Sequence, residues 1–160
     1  MADLLNNTNS NANNYGDDAI VTLSPREHIR LRPGMYVGVV GDGSQPDEAL
    51  YVLIKEVVDN SIDEFIMGAG RQIDITLADN VVTVRDYGRG IPLKSLAAAV
   101  GQMNTGGKYG GDAFKKTVGL NGVGVKAVNM LSEEFTARSV RDGEARTVTF
   151  AKGLEEGDRW

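Results

Sequence analysis

Hydrophobic residues recur along the chain with two different periods, which predict helices alternating with short strands. Between about Asp47 and Met67 they recur at helical spacing, which predicts one long amphipathic helix. Its apolar side is expected to hold Ile54, Val57, Val58, Ile62 and Phe65, and its polar side Glu56, Asp59, Asn60 and Asp63. Residues 56–64 contain no lysine or arginine, so no i,i+4 ion pair within that stretch explains the acidic side.

Alternation of apolar and polar residues predicts a first antiparallel hairpin. Its strands lie near residues 73–77 and 82–84, and a turn at Asp79-Asn80 joins them. The second of these strands leads directly into Asp86, at the start of a glycine-containing segment. The sequence therefore predicts a carboxylate at a strand end.

A second hairpin is predicted near the end of the chain. Its strands lie near residues 135–140 and 145–150, and Asp142-Gly143 between them is a strong type I′ turn signal. The tail from Leu154 to Trp160 shows no clear pattern, so no element is predicted there.

Capping residues define a helix near the start of the chain. Ser24-Pro25-Arg26-Glu27 combines an N-cap, a proline at the first helical position and a capping box, which predicts a helix to about Leu31. A turn over residues 32–38 follows, and further helices are predicted near 93–103 and 123–131. Together these elements predict an α/β (α+β) two-layer sandwich, with a mixed, mainly antiparallel sheet and helices on one face.

Composition narrows the class of protein. The 160 residues fit one domain, and 41% of them are hydrophobic, enough for an ordinary core. A net charge of −5 makes the chain a poor candidate for gripping nucleic acid by itself. With no cysteine and a single histidine, His28, disulfides, thiolate sites and multi-histidine metal sites are excluded.

The two ends of the chain differ in character. Residues 1–18 are polar and rich in asparagine, so we expect a flexible N-terminal arm, followed by one folded domain over residues 19–160. No apolar run approaches the roughly 20 residues of a membrane span, and no signal-peptide pattern is present. The expected location is therefore the cytoplasm.

Glu56 and Asn60 lie one helical turn apart and could contact the same small ligand or ion. A carboxylate can orient a water and accept its proton, and an amide oxygen can ligate a hard cation such as Mg²⁺. Taken alone, the pattern also fits an amphipathic helix with a solvated acidic side.

Asp86-Tyr-Gly-Arg-Gly90 places a carboxylate before two glycines that allow a flat ligand to approach the main chain closely. The carboxylate could accept a hydrogen bond from an exocyclic amine. The same five residues could form only a turn.

Glycines also precede the helix predicted near 123–131. Residues 119–126 could present free main-chain N–H groups to a phosphate, although a tight loop-to-helix joint explains them equally well. The glycine-rich run from Asn104 to Gly111 carries Lys108 and predicts a mobile lid, or an ordinary flexible loop. In combination, these segments describe a site for a purine nucleotide with Mg²⁺ and a water held for hydrolysis.

Four motifs in this order resemble a known family. They are Arg-Pro-Gly-Met-Tyr-Val-Gly (32–38), Glu-Val-Val-Asp-Asn-Ser-Ile-Asp-Glu (56–64), Asp-Tyr-Gly-Arg-Gly-Ile-Pro (86–92) and Gly-Leu-Asn-Gly-Val-Gly-Val-Lys-Ala-Val-Asn (119–129). The chain is similar, over about residues 15–153, to the ATPase domain of type IIA DNA topoisomerase B subunits. These are the B subunits of gyrase and topoisomerase IV, in the gyrase, chaperone, histidine kinase and MutL superfamily with its Bergerat-type ATP-binding fold.

The resemblance implies a role for several residues. Glu56 is implied as the general base, Asn60 as the Mg²⁺ ligand and Asp86 as the acceptor of the adenine amino group. The adenine side is implied to be lined by Arg89, Gly90, Ile91 and Pro92, and the phosphates to be bound by Lys108, Asn121, Gly122, Val123 and Gly124. Arg141 matches an arginine at the pocket mouth, and Tyr15 falls where an N-terminal strap reaches the other protomer.

The resemblance also implies partners and an incomplete domain. In the family, ATP binding dimerises these domains into a gate for DNA, and the topoisomerase A subunit and DNA are bound by other parts. Position 121 is Asn where His is usual, and Phe114 replaces a lid tyrosine. The family's last adenine-contacting strand and its transducer domain are expected beyond Trp160, so we expect this chain to bind nucleotide and to hydrolyse ATP poorly.

Two other classes share some of these features. A histidine kinase or chaperone relative would have the same cradle, but a kinase needs an upstream phospho-accepting histidine, and His28 lies in the wrong context. A non-catalytic interaction module would use the acidic side and the glycines structurally. Stabilisation by ATP distinguishes that module from a nucleotide-binding domain.

Overall fold

The computed structural model describes residues 19–105 and 122–160 and confirms the α/β class. Within those residues, helices come first and a hairpin follows. The second half holds a short 3₁₀ helix, two further helices and a second group of strands. The elements are α1 (Pro25–Leu31), α2 (Gly34–Val37), α3 (Ala49–Ile66), β1 (Ile73–Ala78), β2 (Val81–Asp86), the 3₁₀ helix Leu93–Ser95, α4 (Leu96–Gly101), α5 (Gly124–Leu131), β3 (Glu134–Arg141), β4 (Glu144–Ala151) and β5 (Leu154–Arg159).

The predicted start of α1 is confirmed. The Glu27 N–H donates to Ser24 Oγ at 3.3 Å, the Ser24 N–H donates to Glu27 Oε2 at 2.8 Å, and Pro25 occupies the first turn. These bonds from Ser24 hold the pKa of the Glu27 carboxyl below its ordinary value. The turn predicted over residues 32–38 contains a helical turn, α2, whose Val37 is buried.

The long helix α3 is confirmed, but the prediction of its two sides is partly wrong. Phe65, expected on the apolar side, is 60% exposed, whereas Asp63, expected on the polar side, is only 4% exposed. Lys55 forms an i,i+4 ion pair with Asp59, so part of the acidic side has an ordinary explanation after all. Periodicity finds the two sides of a helix, but the packing of α3 on α2, α5 and β2 decides which residues are covered.

Both predicted hairpins are confirmed. In the first, Ile73 pairs with Asp86 and Ala78 with Val81, and Asp79 and Asn80 both have positive φ, as a type I′ turn requires. In the second, β3 pairs with β4 around Asp142-Gly143, also at positive φ. The turn residues thus determine the register of both hairpins.

The prediction that the tail has no structure is wrong. Residues Leu154–Arg159 form β5, which pairs antiparallel with β4 through a turn at Lys152-Gly153, where both residues have positive φ. The strand carries few apolar residues, so it shows no alternation that sequence reading could detect. The described strands form two separate antiparallel sheets, β1-β2 and β3-β4-β5, and an isolated parallel bridge joins Val39 to Glu48.

The core lies between α4 and the three-stranded sheet. Leu96 and Val100 of α4 pack with Val148 and Phe150 of β4, and all four are buried. Helix α5 contacts α1, α3 and α4. Its first residue, Gly124, lies beside Glu56 of α3. Across the described part of the chain, no helix combines the length and apolar character that crossing a membrane requires.

Truncating the core should destabilise the fold far more than truncating an exposed strand position. Leu96→Ala removes a side chain that is 1% exposed, so we expect a loss of about 2–5 kcal/mol in the free energy of unfolding. Leu77→Ala, at a position that is 73% exposed, should cost less than about 1 kcal/mol. Urea denaturation of both variants measures this, and equal losses would contradict the placement of the core.

Candidate functional site

Glu56 of α3 reaches the first residue of α5. A methyl group at Gly124 would overlap the Glu56 carboxylate, with the carboxyl carbon only 2.6 Å away. The absence of a side chain at Gly124 therefore provides the space that the carboxylate occupies. The candidate base and the helix N-terminus predicted to hold phosphate are thus neighbours.

Asn60 lies one turn after Glu56 and is fastened to the same helix. Its Nδ2 donates to the Glu56 carbonyl oxygen at 2.8 Å. Because the amide nitrogen is the donor in this bond, the amide oxygen is the atom that could ligate a cation. The side chain is exposed, on the same stretch of α3 as the Glu56 carboxylate.

Asp86 ends β2, as predicted, and two groups hold its carboxylate. The Gly88 N–H donates to Oδ1 at 2.9 Å, and the Ser61 hydroxyl of α3 donates to Oδ2 at 3.4 Å. A cavity of about 200 Å³ beside it is lined by residues 69–73 together with Ser61, Phe65 and Tyr87, and none of residues 89–92 lines it. That volume is below the roughly 300–1,000 Å³ of most ligand pockets. With this lining, the cavity does not coincide with the adenine side expected at residues 89–92.

Arg89 is held by Glu64 rather than pointing freely to a ligand. Its Nε and Nη2 donate to the two Glu64 carboxylate oxygens at 3.0 and 2.8 Å, and its main-chain N–H donates to Oε2 at 3.0 Å. These hydrogen bonds raise the pKa of Arg89 above its ordinary value. A side chain at Gly88 would lie 2.9 Å from Glu64, so that glycine allows the pair to form. The pair therefore fixes the loop after β2 against α3.

The segment after Arg89 is pressed against β3. Gly90 has φ +73°, and a side chain there would come 2.5 Å from the Val140 carbonyl oxygen. The Ser139 hydroxyl donates to the Ile91 carbonyl oxygen at 2.7 Å, while Ile91 and Pro92 stay exposed. The glycine is therefore needed for a close approach between main chains, and the next two residues are available to a ligand.

The start of α5 carries the described part of the predicted phosphate site. Gly122 has φ +61°, Val123 is the N-cap without a side-chain capping bond, and the helix begins at Gly124. Lys126 in the first turn is only 4% exposed, and its Nζ donates to the Thr105 carbonyl oxygen at 2.6 Å. The main-chain N–H groups of the first turn have no helical partners, which suits an anion.

Other predicted residues lie apart from this group or outside the described residues. Arg141 is the last residue of β3 and follows Val140 in the chain. Its Nε lies 3.5 Å from Asp142 Oδ2. Tyr15, Lys108 and Asn121 lie outside the described residues. Their assignments stay predictions.

The edge of the first hairpin supports the Asp86 segment from the other side. The Tyr87 hydroxyl donates to Asp74 Oδ2 at 2.7 Å, and this bond raises the pKa of Tyr87. Asp74 also accepts from Gln72 at 2.6 Å, and its carboxyl pKa is lowered first by that bond and then by Tyr87. Tyr87, the residue after Asp86, is therefore held by Asp74 of β1.

Sequence reading missed three residues that shape this site. Ser61 and Glu64 lie inside the motif at 56–64, where helical spacing from Val57 and Asn60 could have placed them beside the loop after β2. Ser139 carried no signal, because only the fold brings β3 to Ile91. All three act by holding the main chain or a carboxylate in place.

Comparison with known proteins identifies related sequences. Residues 45–155 match the family described as histidine kinase-, DNA gyrase B-, and HSP90-like ATPase. The chain is 56% identical over 140 residues to the B subunit of DNA topoisomerase 4 from Borreliella burgdorferi, a match that covers 88% of this chain and 23% of that protein. It is 43% identical over 155 residues to the B subunit of DNA gyrase from Rickettsia conorii, covering 91% of this chain and 19% of that protein.

A solved structure has a similar fold. It is the 43K ATPase domain of Thermus thermophilus gyrase B in complex with an aminocoumarin, with a TM-score of 0.66 and 28% sequence identity. The match covers 84% of this chain and 34% of that chain. This chain therefore spans about a quarter or less of the two curated relatives and about a third of that domain.

Filling the space at Gly124 should displace the Glu56 carboxylate without unfolding the protein. Gly124→Ala places a methyl group where the carboxylate lies, and the flexible glutamate side chain can move away. Alanine also favours a helix over glycine by up to about 1 kcal/mol, so the melting temperature should not fall.

Carbon-detected NMR of the Glu56 carboxylate measures this displacement. Gly34→Ala in α2 is the matched control, because a side chain there meets nothing within 4 Å. We expect the Glu56 signal to shift in Gly124→Ala only. An unchanged signal would contradict the contact between α3 and α5.

Proposed function

Because the chain belongs to the histidine kinase-, DNA gyrase B-, and HSP90-like ATPase family, we propose that it is the ATP-binding part of a type IIA DNA topoisomerase B subunit. The observation that carries the proposal is the contact between the Glu56 carboxylate and Gly124. It brings a proton acceptor to the helix start that suits a phosphate. The matches to the B subunits of both topoisomerase 4 and gyrase support it, and they do not distinguish the two enzymes.

ATP would bind along the line from β2 to α5. The Asp86 carboxylate would accept a hydrogen bond from the adenine amino group, since Ser61 and Gly88 already fix its orientation. The exposed Ile91 and Pro92, with Arg89 and Gly90 beside them, would line the adenine side. The main-chain N–H groups of Gly122, Val123 and Gly124 would donate to the phosphates.

A magnesium ion would be held with the nucleotide rather than in a protein cage. No group of three or more His, Cys, Asp or Glu side chains suited to a metal occurs in residues 19–105 and 122–160. Mg²⁺ in nucleotide sites usually takes one or two protein ligands together with phosphates and waters. The Asn60 amide oxygen fits that role, and the ion would neutralise charge on the phosphates.

Hydrolysis would use Glu56 as the general base. Its carboxylate would accept a proton from a water, whose oxygen attacks the γ-phosphorus as the bond to the β–γ bridging oxygen breaks, giving ADP and phosphate. Proton removal by a positioned carboxylate contributes about 10²–10⁴-fold to a rate. The Glu56 carboxylate lies beside the first residue of α5, where the phosphates would bind.

The whole protein would act as a dimer and would bind further partners. We propose that nucleotide binding dimerises this domain, with Tyr15 reaching the partner, and that Lys108, Asn121 and Arg141 complete the pocket. DNA would be bound elsewhere in the protein, because this chain carries a net charge of −5. The topoisomerase A subunit would also be bound by other parts of the protein. A cytoplasmic location and weak turnover by the 160-residue chain alone stay predictions.

Removing the charge of Asp86 should weaken adenine recognition. Asp86→Asn replaces a charged carboxylate by a neutral amide that keeps only one acceptor oxygen. The adenine amino group then lacks its charged partner, which should weaken a non-hydrolysable ATP analogue at least about tenfold. Calorimetric titration with Mg²⁺ present measures the affinity. Asp79→Asn, in the β1-β2 turn, is the matched control and should bind as the wild type does.

Three outcomes of this titration are informative. Loss of binding in Asp86→Asn alone supports adenine at Asp86. Equal binding by both variants would show that the adenine assignment is wrong. Absence of binding and of thermal stabilisation by the analogue in the wild-type chain would favour the non-catalytic module.

Removing the proton acceptor should slow hydrolysis without weakening binding. Glu56→Gln keeps the size of the side chain, so affinity for the analogue should stay within about threefold while the rate falls about 10²-fold or more. Single-turnover hydrolysis of labelled ATP with the protein in excess registers even a slow reaction.

The matched control for this rate is Asp59→Asn, which removes a neighbouring carboxylate that pairs with Lys55. Its rate should equal that of the wild type. A similar fall in both variants would show that the net charge of α3, and not proton transfer by Glu56, determines the rate.

A further inference from the structure

Two buried side chains of the second hairpin donate to the main chain that follows Gly90. Ser139 of β3 donates to the Ile91 carbonyl oxygen at 2.7 Å. Arg146 of β4 donates through Nη1 to the carbonyl oxygens of Leu93 at 2.6 Å and Lys94 at 3.1 Å. Both donors are buried, at 6% and 9% exposure, so these bonds are shielded from water.

The other side of the Arg146 guanidinium is also fixed. Its Nε and Nη2 donate to the two carboxylate oxygens of Asp158 on β5 at 2.8 and 2.7 Å. The Trp160 ring lies 5.0 Å from the guanidinium carbon, within the range of a cation–π contact. The bonds to Asp158 raise the pKa of Arg146 and lower that of Asp158, so the pair is charged at neutral pH.

A rigid planar cation is suited to this arrangement. Arginine offers five N–H donors in a fixed fork, and here they divide between one carboxylate and two carbonyl groups. Lysine has a single nitrogen and cannot reach both sets with the same geometry. Together with the close approach of Gly90 to the Val140 carbonyl, the bonds fasten residues 90–94 to β3 and β4 at successive points.

We propose that Arg146, together with Ser139, is a positioning residue for the nucleotide. By holding the carbonyl groups of Ile91, Leu93 and Lys94, the two side chains keep the main chain of residues 90–92 at a fixed distance from Asp86. The proposal rests on the proposed function, which places adenine between Asp86 and that segment. Neither side chain needs to touch the ligand.

Amide hydrogen exchange tests the positioning without any nucleotide. Arg146→Met keeps a long side chain and removes all the donors. Exchange should accelerate at least about tenfold at Ser95 and Leu96, whose N–H groups donate to the Pro92 and Leu93 carbonyl oxygens, relative to α5. Ser139→Ala removes one bond only and keeps the test available if Arg146→Met does not fold.

Nucleotide affinity tests the consequence. Arg146→Met should weaken the non-hydrolysable ATP analogue about tenfold, Arg146→Lys should recover part of that loss, and Ser139→Ala should weaken it a few-fold. The matched control is Arg138→Met, an exposed arginine on the same hairpin, which should bind as the wild type does.

The outcomes separate this proposal from the proposed function. Local acceleration of exchange together with weaker binding supports it. Exchange that is unchanged, or raised equally throughout the chain, overturns it, as does unchanged affinity in a variant whose exchange is locally faster. If the wild-type chain binds no nucleotide, the proposed function fails, while local exchange in the variants still decides whether Arg146 and Ser139 hold the segment.

Discussion

The site depends on one close contact, between the Glu56 carboxylate of α3 and Gly124 at the start of α5. A carboxylate beside the positive end of a helix is favourably placed, and only glycine leaves room for it there. The contact brings the Glu56 side chain to the first residue of α5. The candidate base and the candidate phosphate donors therefore lie next to each other in the fold, although Glu56 and Gly124 are far apart in the sequence.

A second set of interactions holds the segment that follows β2, on the candidate adenine side of the site. The segment after β2 is held on one side by α3, through Glu64 and Arg89 and through Ser61 and Asp86. On its other side it is held by β3 and β4, through Ser139 and Arg146. Because Ser139 and Arg146 bond to main-chain carbonyl oxygens, they hold the segment while Ile91 and Pro92 stay exposed.

The two described sheets explain why that segment matters for the whole fold. The sheets β1-β2 and β3-β4-β5 share no strand pairing. Residues 87–95 follow β2 directly in the chain, and their main chain accepts hydrogen bonds from β3 and β4. Asp86 is the last residue of β2 in one sheet, and Arg146 lies on β4 in the other. The relative position of the two sheets is therefore coupled to the position of residues 90–92, on the candidate adenine side.

Local rules in the sequence determined much of the fold. The Ser24 capping box and the turns at Asp79-Asn80 and Asp142-Gly143 depend only on neighbouring residues, and each is confirmed. The period of α3 predicted the helix correctly but not all of the residues that are covered. The order of the motifs also identifies Glu56, Asn60 and Asp86 as candidate site residues. Tertiary structure alone decided the burial of Asp63, the exposure of Phe65, the pairing of β5 and the bonds of Ser139 and Arg146. Those features arise between residues distant in the chain, and no local pattern encodes which surfaces meet.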